Sequence, residues 1–168
     1  MASVRRVGDL DIDEDDEFQR RTWKVQRHAW AGMGLIVVAA LSGLFGVGPL
    51  SRGEVGDEAG PLAIRYPRFG RLGASTPLEF RFRPGPSGEA RIWLDVDFLD
   101  AIQIEGIEPE PVRVEAAEGR SAYVFRAISP GRPTRATFHL RPDRIGPISA
   151  RASLDDGPVL EFGTFIYP

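Results

Sequence analysis

The chain has no cysteine, two histidines, two methionines and a single lysine, Lys24, in 168 residues. Without cysteine there is no disulfide, no thiol nucleophile and no cysteine-based metal motif. The two imidazoles stand apart. His28 adjoins an apolar run, and His139 sits alone in "TFHLR"; with no serine or cysteine motif near either, no nucleophile–base pair can be assembled. Methionine is confined to Met1 and Met33, which leaves no set of soft ligands for copper. Arginine dominates the cations, yet 21 Lys+Arg against 24 Asp+Glu leave a net charge of only −3, and this near-cancellation argues against a nucleic-acid surface. These shortages predict a protein that is not an enzyme and needs no cofactor.

Charge is also missing locally. Ala29 to Leu50 contains 22 residues without an ionisable side chain; as a helix it would span about 33 Å, enough for a hydrocarbon core of about 30 Å. A transmembrane helix is therefore expected over 29–50, with Trp30 in the headgroup layer. Arg20, Arg21, Lys24 and Arg27 precede the run, and Arg52 alone closely follows it. The positive-inside rule then leaves the N-terminus in the cytoplasm and sends the rest across a bacterial inner membrane. Residues 1–28 read as a cytoplasmic tail, acidic ("DLDIDEDDE") and then basic, the acidic part solvated. A cleaved export signal is the competing reading, since "QRRTWK" carries a twin arginine. Against it, the run exceeds the usual signal core and no Ala-x-Ala site follows. Within the run, Ala39 and Gly43, and Ser42 and Gly46, are spaced four apart. That small-residue face suits packing against another membrane helix, from a partner protein or a second copy of the chain.

Residues 51–61 are glycine-rich and polar and read as a flexible linker. Beyond them, 62–168 alternates in the manner of strands. "LEFRFR" places Leu78, Phe80 and Phe82 on one face; "RIWLDVDF" places Ile92, Leu94, Val96 and Phe98 inward and Trp93, Asp95 and Asp97 outward. Further strand candidates are "AIRY", "AIQIEG", "VRVEA", "AYVFRAI", "RATFHLR", "ISARASL" and "LEFGTFIY", separated by turn signals such as "PGPSGE", "EPEP" and "LDDGP". The closing strand "LEFGTFIY" is apolar on both faces apart from Glu161 and Thr164, which predicts a strand that is central or packed on both sides. The expected fold is mainly β: a single N-terminal transmembrane helix followed by an immunoglobulin-like antiparallel β-sandwich, with a small barrel as the alternative.

Two surface constellations stand out. In "RYPRFGR", Arg65, Arg68 and Arg71 interleave with Tyr66 and Phe69, a mixture suited to lipid headgroups or a partner's loops, although a first strand with ordinary surface arginines gives the same pattern. Outward Trp93 beside Asp95 and Asp97 would suit an envelope glycan or small ligand. The same carboxylates with Asp100 are a weak match for a hard cation, which needs six to eight oxygens. "GLFGVG" resembles a phosphate loop only in spacing, for no strand precedes it.

The succession "RTWKVQRHAW", "GLFGVGPLS", "YPRF" and a β-rich domain ending in "FIYP" resembles a group of small bacterial single-pass membrane proteins with an extracytoplasmic β-sandwich, associated with YetF-like multi-pass membrane proteins. That resemblance carries over no functional residue. It implies an accessory role beside an integral membrane protein partner.

Overall fold

The computed structural model describes residues 5–7, 10–12, 16–41, 51–126 and 132–168. It comprises two compact units, Met1–Ser42 and Gly43–Pro168.

In the first unit, β1 (Arg5–Val7) pairs antiparallel with β2 (Leu10–Ile12), and α1 runs from Asp16 to Leu41. The acidic stretch expected to be a solvated tail thus supplies a strand and the start of a helix. The helix begins at Asp16 and not at Ala29, so its first half holds Arg20, Arg21, Lys24 and Arg27. Its apolar part, Ala29 to Leu41, is about 20 Å long, and no helix among the described residues is long and apolar enough to cross a membrane. The remainder of the uncharged run, 42–50, lies outside the described residues, and with it Ser42, Gly43 and Gly46. Trp30, Met33, Leu35, Ile36, Val37, Val38 and Leu41 are exposed; Ala39 is half-buried.

The second unit is built of two sheets. In chain order its elements are β3 (Arg52–Gly56), β4 (Leu62–Pro67), β5 (Phe69–Arg71), β6 (Thr76–Phe82), β7 (Glu89–Asp95), the single turn α2 (Val96–Leu99), β8 (Ile102–Glu108), β9 (Arg113–Ala117), β10 (Arg120–Arg126), β11 (Thr134–Pro142), β12 (Gly146–Leu154) and β13 (Leu160–Tyr167). One sheet has the order β3-β4-β6-β11-β8, the other β5-β13-β12-β7-β10-β9. Pairing is antiparallel except between β5 and β13. The result is mainly β, two sheets facing each other across an apolar core, in keeping with the expected sandwich.

Alternation decides what fills that core. Leu78, Phe80 and Phe82 of β6, Ile92 and Leu94 of β7, and Phe138 of β11 are fully buried. Phe138 lies at its centre, with ring centroids 5.1 Å from Phe80, 5.1 Å from Tyr123 and 6.1 Å from Phe125, all edge-on. Tyr66, Phe98 and Phe162 form a second aromatic group, Phe162 lying 5.3 Å from Tyr66 and 5.7 Å from Phe98.

Three expectations are corrected. The stretch 51–61 is not a flexible linker over its length, because Arg52–Gly56 forms an edge strand paired with β4, Arg52 opposite Pro67 and Gly56 opposite Ala63. Its glycines fit the packing: at Gly53 a Cβ would run into the Tyr66 ring, and Gly56 takes a φ of +91°. The strand "RIWLDVDF" stops at Asp95. Val96 to Leu99 turn as α2, carrying the chain from one sheet to the other and lodging Phe98 in the core. Finally, β13 lies between β12 and β5 and is no edge, but its two faces differ: Phe162 and Ile166 are buried, whereas Phe165 is half exposed.

Candidate functional site

The segment Arg65 to Arg71 is divided by the fold. Arg65, on the outer face of β4, is tied to Glu54 at 3.3 Å and Glu58 at 2.8 Å, and Glu58 also meets Arg81 at 3.0 Å. Tyr66 faces Phe162. A partner's carboxylate would have to displace Glu54 and Glu58 to reach Arg65, whereas Tyr66 is half-buried. From Arg68 onward the chain leaves β4 for the other sheet. The Arg68 N–H donates to the Ser51 carbonyl at 2.7 Å, and the Arg68 carbonyl accepts from the Phe165 N–H at 2.9 Å. Phe69, half-buried, lines a cavity of about 240 Å³ with Ser51, Arg52, Tyr66, Pro67, Thr76 and Pro77, and Arg65 and Glu79 bring one charge of each sign to it. Arg71 is exposed. The structure therefore sets Arg65, Tyr66 and Phe69 around one cavity with Ser51 and Arg52, with the Arg65 guanidinium already paired, and leaves Arg68 and Arg71 exposed.

At the second constellation, Asp95 ends β7 with its carboxylate engaged: one oxygen accepts from the Arg151 backbone N–H at 3.0 Å and the other lies 3.6 Å from the Arg151 guanidinium. Asp97 belongs to α2 and is exposed, so the two carboxylates share no strand face. Trp93 is outward as expected, but the Arg120 guanidinium stacks 4.2 Å from its ring centroid. A sugar would have to displace that arginine to reach the ring. Among the described residues no group of three or more His, Cys, Asp or Glu is placed to hold a metal ion. His139 stands on β11 with Pro77 and Gly106 as its cross-strand neighbours, neither a proton acceptor partner for an imidazole base.

A third constellation escaped sequence reading. On the outer face of the six-stranded sheet, Arg113 meets Glu89 at 3.0 Å and Glu115 at 2.8 Å, Glu115 meets Arg91 at 3.3 Å, and Arg126 approaches Glu89 at 3.8 Å. Glu89 and Arg113 are 24 residues apart and meet only through the registers of β7, β10 and β9. The Arg113 hydrogen bond holds both Glu89 and Glu115 below the usual carboxylate range. A depressed folded-state pKa adds stability that is present above the unfolded pKa and lost as pH falls through the folded one. Arg113→Gln is accordingly expected to raise both pKa values toward the ordinary glutamate value. Carboxyl-carbon NMR titration reads this directly, and unmoved titration curves would show that the cluster does not exist in solution. Because the ladder is self-neutralising and exposed, it is a solvated face with little net field.

No protein-family model matches the chain, and no curated protein matches it. Among solved structures it is similar to a cohesin module from a family 33 glycoside hydrolase of Clostridium perfringens ATCC13124, with 11% identity, a TM-score of 0.43, and 69% of this chain and 96% of that one covered. A likeness that distant assigns no residue a role.

Proposed function

We propose that this is a single-pass, membrane-anchored protein without catalytic activity, whose immunoglobulin-like sandwich stands outside the cytoplasm and whose helix meets an integral membrane protein partner. One observation carries the reading. Met33, Leu35, Ile36, Val37, Val38 and Leu41 are all exposed, and at about 100° per residue they surround α1 and do not form a stripe. Leaving six such side chains in water forgoes on the order of 10 kcal/mol of burial free energy. Lipid is the solvent that removes this cost, and the run continues uncharged to Leu50. The cations of α1 precede the apolar part and keep the N-terminus inside. The small residues Ala39, Ser42, Gly43 and Gly46, spaced in sequence to suit close helix packing, are those assigned to the partner.

Alkaline carbonate washing of vesicles is expected to leave the full chain in the pellet, and protease added to spheroplasts is expected to digest the sandwich. Purification in mild detergent should bring down one integral membrane protein in stoichiometric amount. Release by carbonate, or a sandwich spared by protease, overturns the anchored reading; recovery of the chain alone overturns the partner.

A further inference from the structure

We propose that the outer face of the six-stranded sheet carries a binding site for a small carboxylate-bearing ligand of the uronic-acid class, formed by Trp93, Arg120, Arg151 and Ser153. The site lies wholly within the β domain and does not depend on how the chain is anchored.

It begins with an arginine that the fold does not neutralise. On β7, β9, β10 and β12, Arg91, Arg113, Arg126 and Arg151 each have a carboxylate within 3.8 Å. Arg120 has none among the described residues, although its partner in the β7–β10 register is Asp95. Its guanidinium lies instead over Trp93, 4.2 Å from the ring centroid, while the Asp95 carboxylate turns to Arg151. Stacking occupies the flat face of a guanidinium and leaves its rim of N–H donors free, and no hydrogen bond among the described residues takes up that rim. A fixed, unmatched fork suits a planar carboxylate, which accepts two N–H bonds at once.

A cavity of about 230 Å³ opens beside the stack, lined by Trp93, Asp95, Arg120, Arg151, Ser153 and Val159. Ser153 stands opposite Trp93 in the β7–β12 register and so shares its face. The residue is 4% exposed, yet among the described residues nothing bonds its hydroxyl. A hydroxyl buried without a partner costs free energy that a ligand oxygen in this cavity would remove. Exposed Val159 and the edge of Trp93 supply apolar contact for the body of the ligand.

Charge and size narrow the class. Two arginines against one aspartate leave the lining with a single net positive charge. Further carboxylates stand around it: Glu161 opposite Arg151 across β12 and β13, Glu118 in the turn before Arg120, Asp155 bonded to the Arg91 N–H, and Glu115 held by Arg91 and Arg113. A monoanion is matched by Arg120, whereas a phosphate dianion would bring a second charge toward these carboxylates. The volume is below the roughly 300–1,000 Å³ of pockets for drug-sized ligands, which limits the occupant to one sugar-sized unit. Ser153 calls for an oxygen beside the carboxylate, and a hexuronate carries both on one ring. A neutral sugar would have to unseat Arg120; an acid uses it where it stands.

The test uses the full chain in detergent micelles with Trp23→Phe and Trp30→Phe, which leaves Trp93 as its one tryptophan. Trp93 emission is followed as ligand is added at neutral pH and constant ionic strength. Glucuronate is expected to give a saturable change with a Kd on the order of 1 mM, glucose none, and glucose 6-phosphate a severalfold weaker one. Arg120→Gln should weaken glucuronate binding about tenfold or more. Arg120→Lys keeps the charge but loses the fork, and Ser153→Ala removes one oxygen; each should weaken binding severalfold. Arg71→Gln, the same change of charge on β5, should leave it unaltered. The absence of a saturable response to glucuronate, or affinity undiminished in Arg120→Gln or Ser153→Ala, overturns the proposal. An equal response to glucose, or tighter binding of glucose 6-phosphate, overturns the carboxylate class. A loss in Arg71→Gln as large as that in Arg120→Gln would show attraction by bulk charge and overturn the site.

Discussion

Phe138→Ala is expected to lower the unfolding free energy of the β domain by about 3–5 kcal/mol, the range for removing a fully enclosed aromatic side chain. The site offers little relief. Phe138 touches three aromatic rings edge-on, from β6 on one side of it in the sheet and from β10 across the core. None of these can swing into the void without abandoning its own contacts, so a cavity persists and its cost adds to the lost transfer energy. A domain of this size has roughly 5–15 kcal/mol in hand, and the variant should be partly unfolded at moderate urea concentration. Urea titration followed by near-ultraviolet circular dichroism checks this. Phe165→Ala is the comparison: its ring is half exposed on β13, and a loss below about 1.5 kcal/mol is expected. Equal losses at the two positions would contradict the packing described.

The second large effect is a gain of one methyl group. Gly56→Ala is expected to cost about 3 kcal/mol, because two penalties coincide. The residue has a φ of +91°, and a Cβ there would collide with the Leu62 carbonyl oxygen and approach Leu160 Cδ1 to 2.9 Å. The first obstacle is backbone and cannot turn aside. Gly88 separates the two contributions, having a φ of +73° with open space around its missing Cβ; Gly88→Ala should cost only about 1 kcal/mol. Thermal unfolding of the pair gives the comparison, and indistinguishable melting temperatures would mean that β3 does not pack as described.

The sequence was most legible where one face of a strand is buried and the other wet. In β6, the alternation of Leu78, Phe80 and Phe82 with Glu79 and Arg81 survives unaltered in the burial of each residue. It was least legible where the polypeptide changes sheet. Val96 and Phe98 continue the two-residue period of β7, yet the chain needs a turn there to reach β8, and Phe98 is as apolar in α2 as it would be in a strand. Local pattern holds no record of which sheet comes next. Strand β3 was hidden differently: with Gly53 and Gly56 it has one sizeable apolar side chain, Val55, and its glycines serve close packing, which composition alone equates with looseness.

The candidate surfaces follow the same division. That Arg68 and Arg71 are outward and cationic was readable; that Arg65 is neutralised by Glu54 and Glu58 was not, since those partners belong to a stretch read as linker. The Trp93 platform was placed on the correct face, but its cover, Arg120, lies 27 residues away and meets it only through the β7–β10 register.

The pairing of Phe69 with Phe165 has a consequence for biogenesis. Strand β5 gains its neighbour almost a hundred residues after it leaves the ribosome, and Phe162 and Ile166 complete the core only then. Arrested nascent chains ending before Leu160 should remain protease-sensitive throughout the segment from Phe69 to Arg71. So late a closing contact implies a slow final step in the folding of the domain, taken only once Leu160 to Tyr167 has been made.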